Sequence, residues 1–245
     1  DERFGYVSGG YATTLRALGG RLAELGVEVR TASRVERVVR QGDDLVVTAA
    51  GSPASDERVD RVVVTAPPPV AAGLCPDLSE AERSRWAAVR YQGVTCTSVL
   101  LRRPLAGYYL TYLMDPAPFT TVVEMTSLID PSEVGGHSLV YLPRYMASDD
   151  PEFGTADAAW EATALEGLKA VYPGVADDDV LAVRTARARM VFPLPVLGYA
   201  RDVLPAGTSV PGLHLVSSAQ IVNGTLNANE TIGLANRSAE LLVAS

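Results

Sequence analysis

Asp60-Arg61-Val62-Val63-Val64-Thr65-Ala66-Pro67-Pro68-Pro69 is the stretch on which the fold turns. Val62, Val63 and Val64 offer apolar side chains to both faces of a strand, the pattern of a strand buried in a parallel sheet. The prolines end it, since proline brings no N–H to a ladder. Upstream, Leu15, Leu18, Leu22 and Leu25 recur three or four residues apart and predict an amphipathic helix over 11–25, closed by Gly26. Val27-Glu28-Val29-Arg30 then reads as a strand. Residues 35–40 and 45–48 read as a hairpin around Gln41-Gly42-Asp43-Asp44, and a turn over 51–56 leads into a strand over 59–65.

Downstream the texture changes. Ser79 and Glu82 have the spacing of a capping box, which predicts a helix over 79–89. Four strand-like runs follow without an intervening helix, over 94–101, 108–114, 121–129 and 138–145, and such a succession implies an antiparallel sheet. A helix over 155–171 stops at Pro173-Gly174, a strand occupies 180–192, a short buried strand 213–216, and a closing helix 230–243. Two pieces of α/β texture thus flank an insertion: the chain leaves one domain, builds a second and returns.

Composition narrows the functional classes. The 245 residues are 47% hydrophobic and 20% charged, with 21 basic and 29 acidic side chains and a formal net charge of −8, as in a globular protein. An acidic balance disfavours nucleic acid, which needs a concentrated basic face. Cys75 and Cys96 are the only cysteines, too few for a disulfide framework or a four-cysteine metal site, and both read as core residues. His137 and His214 stand apart and without companions, so neither a metal site nor a Ser-His-Asp triad is expected. No apolar run reaches the length of a transmembrane helix, which makes cytoplasmic location the expectation.

Four segments resemble a known superfamily. Phe4-Gly5-Tyr6-Val7-Ser8-Gly9-Gly10-Tyr11 with its helix, Gly26-Val27-Glu28-Val29 with Arg34-Val35-Glu36-Arg37-Val38, and the stretch over 60–67 resemble the middle of the flavin-dependent amine oxidases. Pro211-Gly212-Leu213-His214-Leu215, followed by Asn227-Ala228-Asn229-Glu230-Thr231 and a helix, resembles the C-terminal flavin-contacting segment of the same superfamily, which includes protoporphyrinogen oxidases and phytoene desaturases. The resemblance implies an α/β chain of mixed α+β character. An incomplete FAD/NAD(P)-binding Rossmann-like domain (1–75 and 205–245) would hold an inserted antiparallel-sheet substrate domain (76–204). The glycine fingerprint Gly-x-Gly-x-x-Gly, which places a dinucleotide pyrophosphate at a helix N-terminus, is missing. By resemblance, then, the chain is the C-terminal portion of an FAD-dependent oxidoreductase acting on a small-molecule substrate, and an N-terminal FAD-binding segment lies elsewhere. A mutase-like use of reduced flavin, or a non-catalytic remnant that pairs with a separate Rossmann half, are the alternatives.

The same resemblance assigns residues. Val35 aligns with a backbone contact to adenine, and Ala66 and Pro67 lie where the chain passes the cofactor. Asn227, Ala228, Asn229 and Glu230 carry the main cofactor expectation, with Ser218 and Gln220 as weaker candidates; read alone, Asn229 is an N-cap. Amine oxidases sandwich the amine between two aromatic residues, but Asn227 stands near one of those positions and only Tyr199 could supply the other, so Tyr199 is the sole, weak catalytic candidate. A lysine that many of these enzymes place near the flavin is replaced here by Cys96 or Thr97. Glu124, a charge in an apolar run, requires a partner, for which Arg144 is the expectation.

Overall fold

A computed structural model describes residues 5–50, 55–222 and 226–244, which divide into two compact units. Phe4 and positions 51–54 of the expected turn lie outside the described residues. Helices are mixed with antiparallel sheets, as the sequence implies.

The first unit combines the chain up to Val29 with Gln92–Val191. It opens with α1 (Gly10–Glu24), whose entry is tied down by Glu133: this carboxylate accepts hydrogen bonds from the Gly9 N–H (3.1 Å) and the Ser8 hydroxyl (3.1 Å). The leucine stripe forms as expected, yet α1 buries none of its residues, and Leu15 is 63% exposed. Val27-Glu28-Val29-Arg30 is not a strand. Its residues are exposed, and β propensity without a partner strand to pack against does not make a ladder.

The core of this unit is a five-stranded sheet. Its strands β5 (Tyr91–Leu101), β6 (Leu110–Tyr112), β7 (Thr121–Glu124), β8 (Ser138–Ala147) and β9 (Val180–Pro193) lie in the order β6-β7-β8-β5-β9. Alternation along β5 sends Thr95, Thr97, Val99 and Leu101 to one face, where Val140 and Leu142 of β8 join them under Ala164 and Leu168 of α4 (Asp157–Val171). Each fully buried leucine or valine there contributes roughly 1.5–3 kcal/mol. Gly93 is bare of necessity, since a Cβ would sit 2.8 Å from the Ala188 carbonyl oxygen. Cys96, expected in the core, points to the opposite face and is only half-buried. β9 closes one edge with Arg184, Arg187 and Arg189, and Arg189 lies over the Phe153 ring at 4.7 Å.

Two carboxylates hold this unit's loops. Glu124, 2% exposed, is not paired with Arg144. Its oxygens accept the backbone N–H groups of Leu105 (2.8 Å), Gly107 (2.9 Å) and Ala106 (3.3 Å), while Arg144 binds Glu152 through Nε and Nη2. The expected partner was a charge; the observed partners are peptide groups of a loop, which satisfy a buried carboxylate equally well. Asp179 takes two bonds from Arg103 (2.8 and 2.7 Å) and one from the Ala176 N–H (3.0 Å). The Arg103 hydrogen bonds lead in lowering its carboxyl from 3.8 to about 2. A depressed folded-state value means stability that is complete above about pH 4 and lost as pH falls through about 2. Asp179→Asn is therefore expected to lower the urea midpoint at neutral pH, with the gap from wild type closing between about pH 4 and pH 2. A gap that stays constant over that range would assign the loss to packing.

The second unit is Arg30–Tyr91 with Phe192 onward. β1 (Val35–Gln41), β2 (Asp44–Ala49) and β3 (Ser55–Val59) form an antiparallel sheet. The single strand expected over 59–65 is in fact divided: β3 ends at Val59, the chain bends at Asp60, and β4 (Val62–Val64) pairs in parallel with β10 (Leu213–Leu215). Parallel pairing is as expected, but burial is less complete, since Val63 is 43% exposed and only Val64 is in the core. The prolines that end β4 also begin α2 (Pro68–Leu74), because proline at the first helical positions loses no needed N–H. α3 (Glu80–Ala87) has the expected capping box, in which the Ser79 hydroxyl accepts the Glu82 N–H. Val38, Leu45, Val64, Trp86, Leu213 and Leu215 form the core, together with Cys75, whose thiol burial pushes up to about 11. The chain ends in α5 (Ala228–Ala244), two residues earlier than expected.

Candidate functional site

The candidate site belongs to the second unit and starts from its parallel strand pair. β4 and β10 end side by side, and the Val216 N–H donates to the Val64 carbonyl at 3.0 Å. Ala66 and Pro67 therefore leave one strand end, and Ser217 to Gln220 the other. The carboxyl edge of parallel strands is where open α/β sheets bind ligands, because loops diverge there and leave backbone groups unpaired.

Beyond β10 the chain makes a 3₁₀ turn, Ser218–Gln220, capped by Ser217. Gln220 has its side-chain amide fully engaged: Oε1 accepts the Ser217 N–H (2.9 Å) while Nε2 donates to the carbonyls of Leu204 (3.0 Å) and Leu215 (3.1 Å). It braces the turn from behind. Ser218 instead faces a cavity of about 50 Å³, shared with Phe192, Pro193, Pro195, Tyr199, Ile221, Val222 and Leu226. Tyr199 contributes its ring, whereas its hydroxyl donates to the Ala219 carbonyl at 2.5 Å and, through burial, titrates above the ordinary tyrosine value. That hydroxyl is a structural pin, occupied by the turn it holds.

At the tail, Asn227 caps α5, its Oδ1 accepting the Glu230 N–H at 2.9 Å. The cap is thus Asn227, and Asn229 sits inside the first turn, exposed beside Ala228. Glu230 places an acid at the positive end of the helix dipole. Val35 stands on the separate three-stranded sheet, at the start of β1 opposite Ala49. The structure therefore groups Tyr199 with Ser218, sets Ala66 and Pro67 at the neighbouring strand end, and leaves Val35 on another sheet.

One residue escaped sequence reasoning. Tyr91 opens β5, three residues before the expected strand start, and is 4% exposed. Among the described residues its hydroxyl has no hydrogen-bond partner. Burial, then Tyr199, pushes it up to about 12, an effect tempered by Ser218. A tyrosine at the head of a strand gives no sequence signal of this kind. Elsewhere, His214 is half-buried and its titration is lowered by burial and by Arg61. Among the described residues no three metal-ligating side chains converge, and no helix is long and apolar enough to cross a membrane.

Comparison with known proteins bears on this arrangement. The sequence matches the model of the flavin containing amine oxidoreductases over residues 2–228. No curated protein sequence gives a significant match. Among solved structures, the chain is similar to an oxidoreductase from Methanosarcina mazei (TM-score 0.71, 18% identity, 94% of this chain and 54% of that one). It is also similar to an Exiguobacterium protein assigned as a protoporphyrinogen oxidase (0.70, 16%, 92% and 51%) and to putrescine oxidase bound to putrescine (0.69, 17%, 97% and 53%). This chain spans about half the length of each, and at such identities the likeness speaks for the fold alone. A match that runs through nearly all of the sequence, on a fold shared with such oxidoreductases, makes this chain a member of the flavin-containing amine oxidoreductase family.

Proposed function

We propose that this chain is the substrate-sheet and flavin-facing portion of an FAD-dependent oxidoreductase, and that the glycine-rich turn gripping the FAD diphosphate belongs to a segment outside these 245 residues. The observation that carries the reading is the family match over 2–228. FAD is the cofactor that membership of a flavin-containing family implies, and when bound it would accept a hydride from an organic substrate.

The residues present fit the flavin end of such a cofactor. Two parallel strand ends lead into Ala66-Pro67 and Ser217-Ser218, and a seventeen-residue helix begins at Ala228 with its first turn exposed. Ala66, Pro67, Ser218 and Asn227 to Glu230 would hold the group, while Gln220, whose amide is spent, supports them from behind. Phe192, Pro193, Ile221, Leu226 and the Tyr199 ring supply apolar walls that exclude water from the reacting groups. The sequence contains no Gly-x-Gly-x-x-Gly turn for the pyrophosphate.

The test is a fluorescence titration with FAD of the 245-residue chain and of a longer product that includes a Gly-x-Gly-x-x-Gly segment. The shorter chain is expected to bind weakly or not at all, and the longer one to purify with flavin that bleaches when reduced anaerobically. A submicromolar complex with the shorter chain would overturn the divided grip. A longer product that takes up no flavin would overturn the oxidoreductase reading.

A further inference from the structure

A second cavity, of about 430 Å³, opens in the second unit between the end of α3 and the loop that follows β9; the Tyr199 ring also lines the smaller cavity beside Ser218, but the charged residues are its own. Its two banks are joined through the main chain, where the Leu194 N–H donates to the Arg90 carbonyl at 2.9 Å. Gly198, left-handed at φ 83, starts the 3₁₀ turn that brings Tyr199 and then Asp202 back to the same opening. The walls are apolar, built from Val89, Leu194, Leu204 and Val196, the last of which the fold leaves 53% exposed.

The charge around this opening is unbalanced. Arg85 and Arg90 line it against a single carboxylate, that of Asp202. Arg85 donates a long hydrogen bond, 3.4 Å, to the main-chain carbonyl of Asp202, and the Arg90 side chain makes no hydrogen bond or ion pair among the described residues. Two other cavities of similar size differ in this respect. In one, of about 390 Å³, Arg103 is neutralised by Asp179, and in the other, of about 330 Å³, Arg144 is neutralised by Glu152, each carboxylate lining the same cavity as its arginine. An exposed arginine on a polar surface is simply hydrated, whereas Arg90 stands over apolar walls with its donors unengaged.

We propose that this cavity binds a small organic monocarboxylate with an apolar body, the carboxylate held by Arg90 with support from Arg85, and the hydrocarbon lying along Val89, Leu194 and Val196. The volume is in the range of small-molecule sites. A guanidinium offers a carboxylate paired, charge-assisted N–H donors, and the apolar walls take up the body of the ligand without losing hydrogen bonds to water. Two guanidiniums less one carboxylate leave one positive charge, which matches a monoanion. An ammonium would meet two like charges, and a neutral alcohol would leave Arg90 unpaired. The site is independent of the flavin reading: failure of that reading shows as absence of FAD from the longer product, and carboxylate binding is measured without flavin.

The experiment is a calorimetric titration of the 245-residue chain and of the longer product with octanoate, 1-octanol and octylammonium at neutral pH, the site being located by the amide shifts of Ala88, Val89 and Leu194. Octanoate is expected to bind tightest, about tenfold more tightly than octanol, with octylammonium weakest. This ranking tests the proposal on the wild-type chain. Arg90→Gln is expected to weaken octanoate about tenfold and leave octanol unchanged, a split that loss of structure would not produce. Asp202→Asn is expected to tighten octanoate about threefold, and added salt to weaken octanoate alone. The proposal is overturned if octanol or octylammonium binds as tightly as octanoate, which would make the cavity an apolar crevice, or if the shifts fall elsewhere. It is also overturned if Arg90→Gln leaves octanoate unchanged or weakens both ligands equally. Binding by the 245-residue chain that disappears in the longer product would assign the opening to contact with the added segment and overturn it too.

Discussion

Glu124→Ala is expected to lower stability by about 3–4 kcal/mol, because a buried carboxylate is deleted from beneath three peptide N–H groups and each donor left unpaired costs about 1–3 kcal/mol before the loop relaxes. The loop cannot re-pair by itself: Leu105, Ala106 and Gly107 all turn their N–H groups toward the same two oxygens, and the left-handed Gly107 (φ 76) sets that convergence. Glu124→Gln tests the account. One oxygen remains to accept, but an amide NH₂ then faces an N–H donor, so an intermediate loss is expected. Urea denaturation followed by circular dichroism measures both. A glutamine variant as stable as wild type would mean that the carboxylate acts only as a volume.

The second large effect is at Gly212, in the turn that delivers β10. Its φ is 80, and a Cβ there would lie 2.6 Å from the Asp60 carbonyl oxygen, a backbone atom that cannot swing aside. The Gly212 carbonyl meanwhile accepts the Val62 N–H at 2.9 Å and so starts the parallel ladder. Gly212→Ala combines a left-handed backbone with a clash at the head of that ladder, for an expected loss of about 2–4 kcal/mol. The melting temperature should fall by about 5–15 °C. A variant that melts like wild type would show that the Asp60 turn yields at little cost.

Local features were legible in the sequence. The capping box of Ser79 and Glu82 declares α3 because both partners lie within one turn, and the alternation of β5 declares a sheet with one buried face. Long-range pairing was not. Arg144 found Glu152, eight residues along the chain, and Glu124 found peptide groups, which no side-chain pattern advertises. Val27-Glu28-Val29-Arg30 has the composition of a strand without the neighbour that would make it one, and the proline run concealed α2 because the residue type that stops a strand also starts a helix. At the site, the Asn227 cap follows from sequence in kind though not in position. Commitment of the Tyr199 hydroxyl and the Gln220 amide to the β10 turn depends on contacts to Ala219 and Leu204 that only the folded chain reveals.

The order of the five strands has a consequence for synthesis. β5 lies between β8 and β9, yet β8 is the first of these partners to leave the ribosome and β9 the last strand of the sheet to appear. Throughout the interval in which α4 is made, β5 carries one satisfied edge and one bare edge over eleven residues, a template for any passing chain. β9 ends that exposure, and its arginines make the new outer edge costly for a further strand to approach. The hazard of this sheet is therefore greatest in the nascent chain and falls once residues 180–193 have been translated and paired.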